Sequence, residues 1–388
     1  MLPDNPDPGQ SARSLTFAGR LAAIAANLAI LTVSILVTLL IAEAGYRLSQ
    51  GISLADAKDW RQDGIRTKRI GNRAIYDPVL GWTLQPGYRS DGFNTIGEGV
   101  RRNFDETEVR TGAILAVGDS FTEGFEEVDD AGTWPAHLEK LLGLPVVNAG
   151  VAGYATDQIV LRAERLLPVI KPKTLLIGFT DVDIERAAMS EAGAPKPYFT
   201  VENDKLVYHP PAPLDPAIEE SAMGSALRSV LGHSALADHL LSRLAPKFWY
   251  PREADVYAEV ENDAIAVTCL LLERLKQTAD KGQVRLLLFL QYGGDAVLKE
   301  TGIGEDMQLV GDCAKAAGIE VADQFQSLKA LTQGNADRVA EYYVFEDGEY
   351  GHMTSKGNAH AAALLAETLR REPPPLNAAL EKTAPLPN

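Results

Sequence analysis

The stretch that most constrains this chain is Ala113-Ile114-Leu115-Ala116-Val117-Gly118-Asp119-Ser120. A short apolar run with β-branched residues ends abruptly in a glycine, an acid and a hydroxyl, and Gly124 follows four residues later. Such a run reads as a strand buried on both faces, stopping at a tight turn into a helix. A serine at that turn has two possible roles. It can cap the helix. It can also act as a nucleophile, because its own N–H and the helix start face any negative charge developing beside it.

The surrounding pattern indicates the architecture. Strands are predicted at 113–117, 145–148, 174–179, 284–291 and 319–322, and helices at 133–142, 157–167, 255–279 and 307–317. Continuous apolar strands alternating with amphipathic helices specify an α/β fold, a three-layer α/β/α sandwich around a mainly parallel sheet. Ligands of such sheets sit beyond the carboxyl ends of the strands, where Ser120, Asn148–Gly153 and Thr180–Asp183 all fall.

Outside this core the chain has four further parts. Residues 1–20 form a polar, proline-containing tail, expected to be disordered. From Leu21 to Ile41 only Asn27, Thr32, Ser34 and Thr38 interrupt an apolar run, about the length that crosses a bilayer, so 21–42 is expected to be a transmembrane anchor. Ala42-Glu43-Ala44 has the small-x-small form of a signal cleavage site, but the run exceeds a signal peptide's usual apolar core. Positive charges before it (Arg13, Arg20) and after it (Arg47, Lys58, Arg61) nearly balance, leaving orientation open on charge alone. Residues 45–110 read as a strand-and-loop lead-in, and 372–388 as a second disordered tail. At about 187–251 the alternation breaks. A hairpin turning at Asn203-Asp204 and a helix over 221–244 form an insertion, expected over or beside the site.

Charge and cysteine content narrow the partners. A net charge of −16 argues against nucleic acid. Cys269 and Cys313 match no metal spacing, and Cys269 lies in an apolar stretch that reads as a buried thiol. No cofactor or metal ligand cluster is expected.

Of the six histidines, His137, His209, His233, His239 and His360 lie in helices or a proline-rich link and read as packing or surface residues. His352 is different. It stands in a glycine-punctuated acidic segment, Asp347-Gly348-Glu349-Tyr350-Gly351-His352, expected to be a loop leading into a helix. A histidine held there with carboxylates beside it can serve as a general base, the acid fixing its tautomer.

Together these segments resemble the SGNH (GDSL-type) hydrolases, with the same SGNH/flavodoxin-like sandwich implied over 111–371. Gly118-Asp119-Ser120-Phe121-Thr122-Glu123-Gly124 resembles the nucleophile block. Val146–Gln158, containing Gly153, resembles the block whose glycine supplies an oxyanion N–H, and the His352 segment with Gly357 resembles the histidine block. Two departures stand out. The family's Gly-x-Asn-Asp falls on Gly178-Phe179-Thr180-Asp181-Val182-Asp183, where one register puts Thr180 and another Val182 at the asparagine position; neither restores an amide, and the Thr180 hydroxyl is the donor that could substitute. The family spacing Asp-x-x-His points to Glu349, with Asp347 the alternative acid.

The resemblance implies a serine esterase acting on acyl or acetyl esters of envelope carbohydrate or lipid. It also implies a protein anchored in the inner membrane by its N-terminal helix and facing the periplasm. An exopolysaccharide O-acetyltransferase is the alternative. A catalytically weakened carbohydrate-binding domain is another, motivated by the missing asparagine.

Overall fold

In the computed structural model the described residues are 17–125, 127–214, 222–250, 257–346 and 348–371. The expected disordered segment 372–388, most of the segment 1–20, and Asp347 lie outside them. The chain divides into two compact units, one holding the described residues up to Gly64 together with 222–250, the other the described residues 65–214 and 257–371.

The larger unit is built on a seven-stranded sheet. In chain order its strands are β1 (Thr95–Ile96), β2 (Val100–Arg101), β3 (Ile114–Val117), β4 (Val146–Asn148), β5 (Thr174–Phe179), β6 (Arg285–Leu290) and β7 (Glu320–Asp323). Across the sheet they run β7-β6-β5-β3-β4-β2-β1. The five from β7 to β4 are parallel, and β2 and β1 are antiparallel additions at one edge. The α/β class with a mainly parallel sheet is therefore as the apolar strand pattern specifies. Leu115, Ala116, Val117, Leu175, Leu176, Ile177, Leu287, Leu288 and Phe289 are all buried, as strands covered on both faces require. Helix Trp134–Leu142 packs with Ser355–Arg370, and helix Ala264–Lys281 with Thr156–Ile170 and Glu305–Ala316.

One row of register positions the site. Thr95, Arg101, Asn148, Ala116, Leu176, Leu287 and Glu320 lie side by side across the sheet. Asn148 therefore stands beside β3, the strand that leads to Ser120, with Arg101 next to it on the far side. The sequence-based boundary at 111 cuts through this sheet. β1 and β2 are two-residue strands separated by Gly97–Gly99, too short to leave a periodic signal.

Three local expectations change. His352 lies on a strand, Glu349–Met353, paired with Tyr343–Glu346, rather than on a loop. The next helix begins after Thr354, whose hydroxyl accepts the Gly357 N–H at 3.2 Å. The helix expected over 221–244 is two helices, Ala222–Gly232 and Ala235–Leu244, parted at Ser234, which caps the second by accepting the Ala237 N–H. Cys269 is not a free thiol, because it forms a disulfide with Cys313 that ties helix Ala264–Lys281 to Glu305–Ala316. The hairpin turns at Asn203-Asp204 as expected, both residues having the positive φ of a tight two-residue turn.

In the smaller unit, helix Phe17–Ser49 contains one 26-residue span, Ile24–Ser49, long and apolar enough to cross a membrane, with mean hydropathy 2.5 at its most apolar.

The disulfide closes a loop between residues 44 apart, and constraint of the unfolded chain is expected to contribute about 2–4 kcal/mol. Urea unfolding with and without reductant should show a lower midpoint after reduction, as should Cys269→Ala in oxidising buffer. Equal midpoints would show the bond to be energetically idle.

Candidate active site

Three segments distant in sequence converge at the ends of β3 and β4. Ser120 opens the short helix Ser120–Glu123, with the Asp119 carboxylate capping it through the Phe121 N–H at 2.9 Å. Ser120 Oγ lies 2.8 Å from His352 Nε2. On the other side of the ring, His352 Nδ1 is 3.0 Å from Glu127 Oε1. The serine, imidazole and carboxylate form one hydrogen-bonded chain, the arrangement in which a hydroxyl is activated as a nucleophile.

Glu127 is the residue sequence reasoning missed. Glu349 was favoured by the Asp-x-x-His spacing, but that spacing serves only when the intervening residues loop. On a strand, side chains alternate, so residues three apart point to opposite faces. Glu349 accordingly is exposed, paired in register with Glu346, while His352 is turned inward. The only sequence signal for Glu127 is an acidic pair, Glu126-Glu127, soon after Gly124.

The imidazole is tuned by its surroundings. Burial alone would lower its pKa. The hydrogen bond and charge of Glu127, with Asp119 and Glu123 behind, outweigh burial and hold it above the ordinary histidine value. Phe121 and Phe125 place their rings 5.2 and 5.1 Å from the imidazole, the second stacked on it, and so fix its plane.

The loop carrying Glu127 is held by Arg101, which is fully buried at the sheet edge. Its guanidinium donates to the carbonyls of Gly92, Glu123, Phe125 and Val128 and to Asp130 Oδ1, all within 3.1 Å. Glu123 is also fully buried, paired with Arg73 at 3.2 Å and accepting the Ala152 N–H. Desolvation raises its pKa, against the pull of Arg73.

The second expected segment, after β4, supplies backbone donors. Gly150 must be glycine, since a Cβ there would meet Glu123 N at 2.2 Å. Gly153 has φ of +78°, a conformation costly for other residues. Trp82 from the lead-in packs beside it and donates its indole N–H to the Ala152 carbonyl at 3.1 Å. Among the described residues neither Ser120 N–H nor Gly153 N–H has a protein acceptor, so both are available to an anion.

Thr180 is occupied otherwise. Its hydroxyl donates to Asp119 Oδ2 at 3.2 Å, and its N–H to Asp183 Oδ2 at 2.8 Å. Burial drives both Asp119 and Asp183 upward, Asp183 the further because Asp119 lies near it. The hydroxyl proton is thus committed to the carboxylate under Ser120.

Against Glu127 lies a cavity of about 520 Å³, within the range of small-ligand sites. Phe125 and Glu127 form one wall, and Arg73, Tyr88, Asp91 and Phe93 form others. Arg73, already paired with Glu123, is stacked between the Phe93 and Phe125 rings.

No protein-family model matches the chain, and no curated protein matches it. Solved structures that do match include a lipolytic protein of the G-D-S-L family from Desulfitobacterium hafniense DCB-2. The identity is 14% over 66% of this chain and 99% of that one, with TM-score 0.33. An acetylxylan esterase from Geobacillus stearothermophilus matches at 13%, covering 68% and 97% with TM-score 0.38. A lipase/acylhydrolase from Enterococcus faecalis matches at 14%, covering 68% and 98% with TM-score 0.37. The structural neighbours are thus SGNH/GDSL-type esterases at low identity.

A fluorophosphonate probe reads nucleophile activation without a substrate. Ser120 labelling should slow by about 10³-fold or more in Glu127→Gln and be unchanged in Glu349→Gln. Because His352 must be neutral to accept the proton, labelling should rise as pH climbs through its pKa. Removing the Glu127 charge lowers that pKa, so the midpoint in Glu127→Gln should move to lower pH. The reverse ranking of the two glutamate variants would restore Glu349 as the partner.

Proposed function

We propose that this chain is a serine ester hydrolase acting on acyl or acetyl esters of an envelope carbohydrate or lipid. The observation that carries the reading is the continuous Ser120–His352–Glu127 chain, flanked by two backbone N–H groups without acceptors. A domain that only bound its ligand would have no use for such a chain.

In this mechanism Ser120 Oγ attacks the ester carbonyl while His352 Nε2 takes its proton. Glu127 holds the Nδ1–H and stabilises the imidazolium. The carbonyl oxygen, now an anion, lies against the N–H groups of Ser120 and Gly153. His352 then protonates the departing alkoxide, and water, deprotonated by the same imidazole, releases the acid. Thr180 keeps Asp119 in place instead of donating to the anion, leaving two donors where the resembling family uses a third from asparagine.

The cavity favours a hydroxyl-rich alcohol portion. Tyr88 adds an aromatic side chain to its lining, while Asn72, Ser90, Asp91 and Asp129 add polar groups. With Arg73 paired to Glu123, the remaining charged walls are acidic and disfavour an anionic ligand. This volume beside the triad also suits a sugar hydroxyl in place of water as acyl acceptor, the O-acetyltransferase reading.

The compartment follows from two features. The N-terminal helix is long and apolar enough to anchor the chain in a membrane, and a disulfide suits an oxidising environment outside the cytoplasm.

Wild-type protein should hydrolyse p-nitrophenyl acetate, and Ser120→Ala should lose all but the background rate. Equal rates in the two would end the esterase reading. Adding an acetylated donor with an unacetylated oligosaccharide, and analysing products, separates transfer from hydrolysis.

A further inference from the structure

The insertion helices are organised around the N-terminal helix. Glu43, two residues beyond the apolar run that ends at Ile41 and so about 3 Å further along the helix axis, caps helix Ala235–Leu244. Its carboxylate accepts the Ser234 hydroxyl at 2.6 Å and the N–H groups of Ala235 and Leu236, both at 2.9 Å. One turn later Arg47 bonds Glu43 and donates to the His233 carbonyl at 2.8 Å. Tyr46 meets His239 ring to ring at 5.0 Å. The following helix, Pro246–Trp249, is tied back by Trp249, buried, whose indole donates to Asp238 at 2.6 Å and whose carbonyl accepts from Arg61 at 2.8 Å.

Thus helix Ala235–Leu244 packs on the end of the apolar helix and carries Ala222–Gly232 and Pro246–Trp249 against itself, and their outer surface is unusual for this chain. Leu227, Val230, Leu240, Leu244 and Phe248 are exposed, Val230 and Leu244 by 72% and 79%. Exposed Arg243 and Lys247 stand among them. In a protein of net charge −16, residues 222–249 hold three basic side chains, Arg228, Arg243 and Lys247, against one acid, Asp238. Exposed aliphatic and aromatic side chains interleaved with Lys and Arg are the composition of helices that lie in a lipid headgroup layer.

We propose that helices Ala222–Gly232, Ala235–Leu244 and Pro246–Trp249 form a foot that rests in the lipid interface around the base of the N-terminal helix. Leu227, Val230, Leu240, Leu244 and Phe248 enter the apolar boundary, and Arg243 and Lys247 face anionic headgroups. The proposal rests on the reading that the N-terminal helix crosses a bilayer. It gives that helix a fixed relation to the segment 222–250, because the Glu43 cap and the Arg47 bond join them rigidly at the water boundary. A single span would leave the chain free to swivel, and a second attachment restricts it.

Because both native cysteines are in the disulfide, single added cysteines can be labelled specifically in the full chain. Leu31→Cys, Val230→Cys, Leu244→Cys and Glu202→Cys, each carrying an environment-sensitive fluorophore, are reconstituted in phosphatidylcholine vesicles containing some phosphatidylglycerol. Nitroxide lipids then quench by depth. Position 31 should be quenched by a deep nitroxide. Positions 230 and 244 should be quenched by a shallow one, to roughly half or more of the extent at 31, and position 202 in the exposed hairpin should not be. Quenching at 31 with 230 and 244 as unquenched as 202 overturns the foot and leaves the anchor standing. Failure at 31 overturns the anchor reading itself. Blue-shifted emission at 230 and 244 without lipid quenching, together with cross-linking between chains, would assign this face to a second copy and overturn the proposal.

Discussion

The guanidinium of Arg101 is the interaction on which the site depends. A fully buried cation is costly unless every donor is satisfied. Arg101 is satisfied almost wholly by backbone, since four carbonyls and one carboxylate surround it. Three of those carbonyls, at Glu123, Phe125 and Val128, belong to the segment that leaves the nucleophile helix and carries Glu127. The loop's path is therefore set by a residue beside the sheet edge, and Glu127, the proposed acid partner of His352, is placed by a loop that has no regular structure of its own. Arg101 stands in register with Asn148, whose side chain bonds Glu123 O and Gly150 N. One end of the row thus anchors both the acid loop and the oxyanion loop.

The same logic runs through the lead-in. Trp82 bonds Ala152 beside Gly153, and Tyr154 returns a hydrogen bond to the Trp82 carbonyl at 2.6 Å. Arg73 pairs with Glu123, which in turn takes the Ala152 N–H. A segment that reads in sequence as a strand-and-loop lead-in thus holds the backbone around Ala152 and Gly153. Its contacts come from side chains on or beside two paired strands of four residues each, Ala74–Asp77 and Gly81–Leu84, too short to leave a clear period.

How much was legible follows from the range of each signal. β3, β5 and β6 are runs of consecutive apolar residues, and burial on both faces is the one environment that demands them. Ser120 stands out as a candidate because it follows such a strand at the Gly118-Asp119 turn, Gly153 because its segment resembles a glycine block, and His352 because glycines and acids isolate it. Glu127 was not, since its role depends on a loop path set by Arg101 and on strand geometry that turns Glu349 away. The disulfide was equally hidden. Cys269 and Cys313 lie 44 residues apart on two helices, and only the packing of those helices turns the two thiols into a cross-link.

The insertion shows the limit most sharply. Reading 187–251 as one excursion near the site assumed that an interruption of the α/β alternation serves the sheet it interrupts. Its hairpin does belong to the unit containing the sheet, but its helices belong with the N-terminal helix. The reason is local chemistry. A helix start needs an acceptor for its free N–H groups, and that of Ala235–Leu244 is met both by Ser234 and by Glu43, 191 residues earlier. An acid just past an apolar span would ordinarily be read only as the point where the span meets water. Here it organises a distant segment, so the end of the apolar helix is a structural joint between that helix and residues 233–236, made by one carboxylate that accepts three donors.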